Sequence, residues 1–96
     1  MQIVTTVSAR VDEDRAQELV AAFEALLAEG LPEGLLRTQL LGDGSGNWAI
    51  SSTWRDLDAL DAMRAAPEPP AAPTLFRRFS ADPTLLVMRV LVDSGE

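Results

Sequence analysis

The 96-residue sequence has no cysteine, histidine, tyrosine or lysine. Each absence closes a class of chemistry. Without cysteine there is no disulfide, thiolate nucleophile or thiolate metal ligand. Without histidine the chain lacks the commonest general base, the commonest metal and haem ligand, and the usual switch near neutral pH. All eight basic residues are arginines, set against fifteen acidic ones, for a net charge of −7. That balance makes nucleic acid and anionic membrane surfaces poor partners, because both require a basic face. No apolar run approaches the ~18 residues of a membrane span. The opening MQIVTTVSAR has neither a basic start nor a long apolar stretch, so no secretion signal is read there and the cytoplasm is the expected compartment.

Nearly half of the residues, 47%, are apolar, which argues for a packed core rather than disorder. The length suits a single domain over 1–96. QIVTTVSARV is rich in β-branched residues and reads as a first strand at about 2–10. Ile3, Thr5, Val7 and Ala9 share one of its faces, and Val4, Thr6 and Ser8 the other. DEDRAQELVAAFEALLAEG follows. Asp12 is the expected N-cap, Ala16, Leu19, Phe23, Leu26 and Leu27 form a helical stripe, and Gly30 closes it. LPEG is a turn. LLRTQLL (35–41) and NWAISSTW (47–54) are strands joined through GDGSG, whose glycines and aspartate suit a hairpin. A phosphate-binding loop would need a helix directly behind it, and here a strand follows.

RDLDALDAMRAA is a second helix with Asp56 as N-cap and Leu57, Leu60 and Met63 inward. Asp56, Asp58 and Asp61 raise a metal site as one reading, but acids at a helix N-terminus are explained by the helix dipole, and no metal is expected. PEPPAAP reads as loop because proline breaks regular structure. TLFRRF is a short helical turn, TLLVMRVLV (84–92) a last strand, and DSGE an unstructured tail.

The resulting order, β-α-β-β-α-β with right-handed crossovers, gives an α+β ferredoxin-like fold: a four-stranded antiparallel sheet, strand order 4-1-3-2, with both helices on one face. The last strand is then an edge, yet it is apolar on both sides: Leu86, Met88, Val90 and Val92 on one, Leu85, Val87 and Leu91 on the other. An apolar edge needs cover. The simplest cover is a second copy of the chain, so a two-fold homodimer is expected.

At this point the chain resembles the dimeric α/β-barrel superfamily, and within it the antibiotic biosynthesis monooxygenase domain. The resemblance is carried by IVTTVSARVDEDRAQELVAAFEAL, LPEGLLRTQLL and ISSTWRDLDALDAMRAA, the last with a strand ending in Trp and a helix starting just after. It implies a cleft between sheet and helices. It also implies either a cofactor-independent monooxygenase acting on a hydrophobic aromatic, quinol-like substrate, or a non-catalytic ligand-binding module of the same fold. Such oxygenases draw electrons from the substrate's own ring, so no cofactor is expected. The haem-degrading branch is similar in the Trp matched by Trp54 and has an Asn on the first strand where this chain has Thr6. That branch requires a His on the second helix. This chain has none, which sets a haem oxygenase aside. Polar groups beside a Trp are implied for the cleft, and the candidates are Thr6, Asn47, Ser52 and Arg77.

Trp48 and Trp54 are an even number apart, so an unbulged strand points both to one face, about 20 Å from each other. Trp54 is a candidate pocket wall. Trp48 reads as a lid over the sheet end or a partner contact. Either one also fits ordinary packing with a single N–H partner. Phe23, Met63, Phe76 and Phe79 are candidate apolar walls for a hydrophobic small molecule and fit equally as core. Arg77 would bind an anionic oxygen at the cleft mouth, or simply offset surface acidity.

Overall fold

A computed structural model describes residues 1–95 of the chain. Eight elements matter: β1 (Ile3–Arg10), a 3₁₀ turn (Glu13–Arg15), α1 (Ala16–Ala28), β2 (Leu35–Gly42), β3 (Asn47–Trp54), α2 (Leu57–Ala65), α3 (Ala71–Arg78) and β4 (Thr84–Arg89). The sheet is antiparallel in the order β2-β3-β1-β4, the ferredoxin-like arrangement. A third helix is added before the last strand.

Strand pairing sets side chains in four rungs on the helix-covered face. The first is Gly42–Trp48–Ala9, the second Leu40–Ile50–Val7–Leu85, the third Thr38–Ser52–Thr5–Val87, and the fourth Leu35–Trp54–Ile3–Arg89. Ile3, Thr5, Val7, Ile50, Ser52 and Trp54 are all buried, as two-residue alternation requires of a covered face. A bulge between Leu35 and Arg37 leaves Leu36 over as an unpaired extra residue. It brings Leu35, instead of Leu36, opposite Trp54.

The apolar core is divided. One cluster joins Val7, Ile50, Leu19, Phe23, Leu75 and Phe76, so the second rung carries α1 and α3. The other joins Ile3, Trp54, Ala59 and Leu60, so the fourth rung carries α2. The third rung, hydroxyl-bearing on three strands, lies between them.

Several local features differ from expectation. The side chain of Asp12 makes no cap hydrogen bond, because the 3₁₀ turn at Glu13–Arg15 intervenes and the Asp12 carbonyl accepts from the Arg15 N–H at 2.9 Å. Asp56 does cap α2, its carboxylate accepting from the Ala59 N–H at 2.8 Å. Helix α3 begins inside the proline-rich stretch: Pro70 is the N-cap and Pro73 sits in the first turn. Proline costs little there, since first-turn N–H groups have no intrahelical acceptor. β4 ends at Arg89, short of the expected 92. Its partner β1 starts at Ile3, and a last bond from the Val90 N–H to the Gln2 carbonyl (2.9 Å) uses up the partner strand. Residues 91–95 have no regular structure. Glu96, the last residue of the expected tail, lies outside the described residues.

β4 is as unprotected as the sequence suggests: Leu85, Leu86, Val87 and Met88 are each at least 40% exposed. Among the described residues, no helix is long and apolar enough to cross a membrane.

Candidate functional site

The third rung is the chemical exception on the covered face. Three neighbouring strands place Thr38, Ser52 and Thr5 side by side. The Thr38 and Ser52 hydroxyls are 2.9 Å apart and share a hydrogen bond. Thr5 accepts from the indole Nε1–H of Trp54 at 3.1 Å. Small hydroxyl side chains cannot fill the space between two bulky clusters, so the helices stand away from the sheet above them. The result is a cleft of about 800 Å³, within the range of small-molecule sites.

Its floor is Thr5, Ser52, Thr38 and Trp54. Phe23, Leu26 and Leu27 of α1 form one wall, and Leu60 and Met63 of α2 the other. The roof is the proline-rich segment, through Pro69, Pro70 and Pro73. Among the described residues its charged lining is Glu29, Glu33, Arg64 and Glu68, and all four are exposed. The floor offers neutral hydrogen-bond donors and acceptors, with no group that titrates near pH 7.

The mouth is held by a close backbone approach. Gly34 has φ +84°, its carbonyl accepts from the Arg55 N–H at 2.8 Å, and a Cβ there would overlap the Ala59 Cβ. The 29–34 segment is thereby tied to the entry of α2. Asp56, at that entry, is held below the ordinary carboxylate range, chiefly by the Ala59 N–H and also by Arg55.

Trp54, Ser52, Phe23 and Met63 are brought together around the cleft. The other five candidates stand elsewhere. Thr6 lies on the uncovered face, opposite Ser51 and Leu86, since alternation turns it away from Thr5. Asn47 opens β3 at the far end of the sheet, accepting from Arg10 Nη1 (2.8 Å) and donating to Asp43 (2.7 Å). Arg77 is exposed on α3, away from the cleft. Phe76 is fully buried in the α1–α3 cluster, and Phe79 packs at its edge with the Arg15 guanidinium 4.4 Å above its ring. Both are core, because the second half of α3 packs on α1 and the second rung, and its first turn (Ala71–Pro73) is the part that reaches the cleft.

The two tryptophans separate as spacing suggests. Trp48 covers the sheet end, its Nε1–H donating to the Val11 carbonyl at 3.1 Å and its ring lying flush on Gly42, where a Cβ would come within 2.9 Å. Trp54 is 4% exposed and still lines the cleft.

Sequence reasoning missed Thr5, Thr38 and the proline roof. The signal for Thr5 was present, since it shares a face with Ile3 and Val7. Thr38 takes its face from the register of the β2–β3 hairpin, and because the bulge at Leu36 breaks the alternation, counting along the strand from Leu35 points Thr38 to the wrong side.

The profile of a known family, Antibiotic biosynthesis monooxygenase, matches residues 2–72. Among curated proteins, none matches the chain by sequence. Solved structures share its fold. One is a mutant form of SnoaB from Streptomyces nogalater, described as a cofactor-independent oxygenase. It is 18% identical, with a TM-score of 0.76 over 99% of this chain and 98% of that one. A heme-degrading protein from Mycobacterium tuberculosis is 23% identical, with a TM-score of 0.72 over 99% and 100% of the two chains. A conserved protein from Methanosarcina mazei is 17% identical, with a TM-score of 0.71 over 93% and 92%.

Proposed function

We propose, from the premise that this chain belongs to the antibiotic biosynthesis monooxygenase family, that it is a cofactor-independent oxygenase acting on a hydrophobic aromatic, quinol-like substrate held in the cleft. The observation that carries this reading is the hydroxyl rung under the cleft: a largely apolar cavity of about 800 Å³ whose polar floor is Thr38, Ser52, Thr5 and the Trp54 N–H.

The chemistry asked of the protein is modest. Monooxygenation of a quinol by O₂ places one oxygen atom on a ring carbon and releases the other as water, giving the hydroxyquinone, with all four electrons drawn from the substrate. The protein's part is to desolvate the ring, fix its oxygen substituents on the rung, and keep bulk water out. Trp54 and Ser52 form the floor, while Phe23 and Met63 flank the ring. The fold relationship to SnoaB supports the reaction class, and the missing histidine weighs against iron-bound haem at this site.

The protein works as a homodimer in the cytoplasm. The exposed apolar β4, with Leu86 and Met88 on the uncovered face of the sheet, supports a second copy packed sheet to sheet.

A second reading, a binding module without turnover, is favoured by the floor itself, which holds no proton acceptor stronger than a hydroxyl. Oxygen-electrode traces with a panel of hydroquinones and anthrones decide between them. Uptake that depends on the protein and falls in Trp54→Phe is the expected result. Tight binding of the same compounds with no uptake overturns the oxygenase and leaves the binding module.

A further inference from the structure

The charges and hydrogens around the cleft narrow its ligand further. This step rests on the cleft being the substrate site. The floor carries four donor hydrogens: three hydroxyls and one indole N–H. The indole hydrogen is used on Thr5, and one hydrogen is used between Thr38 and Ser52. Two hydroxyl hydrogens remain, that of Thr5 and one from the Thr38–Ser52 pair, and among the described residues neither has an acceptor. Thr5 and Ser52 are directly opposite across β1 and β3, which puts their Cβ atoms about 5 Å apart. The Thr38–Ser52 bond can run in either direction, and with Thr38 as its donor the Ser52 hydrogen is free, so that Thr5 and Ser52 together can donate to a single oxygen placed between them.

The charge around this donor pair is of the wrong sign for an anion. Three glutamates (Glu29, Glu33 and Glu68) face one arginine (Arg64) at the mouth, on a chain of net charge −7. The floor has no cation. A carboxylate placed on the rung would lose its water and gain no counter-ion, which is the costly case for a buried charge. A ketone, quinone or phenol oxygen needs only the donors that are there.

We infer that the cleft takes an uncharged aromatic ligand through a carbonyl or phenolic oxygen docked between Thr5 and Ser52, and rejects carboxylate-bearing analogues of the same shape.

The test uses a matched set that cannot be turned over as quinols: 2-acetylnaphthalene, 2-naphthoate and naphthalene, titrated at pH 7 by calorimetry. The ketone is expected to bind ~10-fold or more tighter than the carboxylate. Ser52→Ala and Thr5→Val are each expected to weaken the ketone ~3–10-fold, about the worth of one hydrogen bond. Naphthalene binding should stay within ~2-fold of the unsubstituted protein, which shows that the cleft is still folded. Equal or tighter binding of naphthoate overturns the inference. So does ketone affinity indifferent to both substitutions, or no binding of any of the three. Because none of these ligands is a quinol, the result stands apart from oxygen uptake: selectivity without turnover removes only the oxygenase, and turnover without selectivity removes only this inference.

Discussion

The indole N–H of Trp54 donates to the Thr5 hydroxyl at 3.1 Å, tying residues 49 apart in sequence. This bond joins the fourth rung to the third, and so links the α2 core to the polar floor of the cleft. Trp54 thereby serves both packing and site. Its ring closes one apolar cluster, and its one polar atom orients the hydroxyl that faces the cleft.

Breaking that bond from either side should be measurable by urea unfolding followed by circular dichroism. Thr5→Val keeps the shape but leaves a buried N–H unpaired, at an expected cost of roughly 1–3 kcal/mol. Trp54→Phe removes the donor and some packing. The double variant should lose less than the sum of the two, because the unpaired N–H is gone. Additive losses would show that the two residues act separately.

Gly34 should tolerate no side chain. Gly34→Ala combines a left-handed backbone with contact against Ala59, and an expected loss of roughly 2–4 kcal/mol follows. Adding Ala59→Gly removes the clash and should recover part of the midpoint in the same unfolding assay. No recovery would place the cost in backbone strain alone.

Ser80 ends α3 in the left-handed region at φ 58°, where its N–H and that of Ala81 bond back to Arg77 and Phe76. Ser80→Gly relieves that strain and should raise stability by up to about 1 kcal/mol, seen as a higher melting temperature.

Stability should be flat from about pH 6 to 8, since no histidine titrates there. Asp43 and Asp56 are both held below the usual carboxylate range, Asp43 chiefly by the Asn47 side chain and Asp56 chiefly by the Ala59 N–H. A depressed folded value contributes stability that is present above the unfolded value, about 3.9, and is lost as pH falls through the folded one. Urea midpoints should therefore drop below about pH 4, and Asp56→Asn should make that drop shallower.

Much of this was legible in the sequence because it depends on alternation and caps. β3 runs from Asn47 to Trp54 as read, Asp56 caps α2, and the two tryptophans share a face. The site was less legible because it depends on register. Thr6 was a candidate by resemblance, while the β1 alternation placed Thr5 with the buried face. Thr38 reaches Ser52 through the register set at the β2–β3 hairpin, while the bulge at Leu36 breaks the alternation of β2, so the face of Thr38 cannot be counted from Leu35. Pro73 and Arg89 make the same point. A proline within a first helical turn and a strand stopped by the end of its partner are both set by neighbours, not by their own propensity.

The two indoles offer the most direct test, one at each end of the sheet. The measurement is a ¹⁵N–¹H spectrum of the indole region recorded while 1,4-naphthoquinone is titrated into the protein. The account predicts that the Trp54 Nε1–H resonance shifts as the quinone oxygen engages Thr5, while that of Trp48, bonded to the Val11 carbonyl, stays in place. Movement of Trp48 alone, or of neither, would contradict a ligand site on the hydroxyl rung.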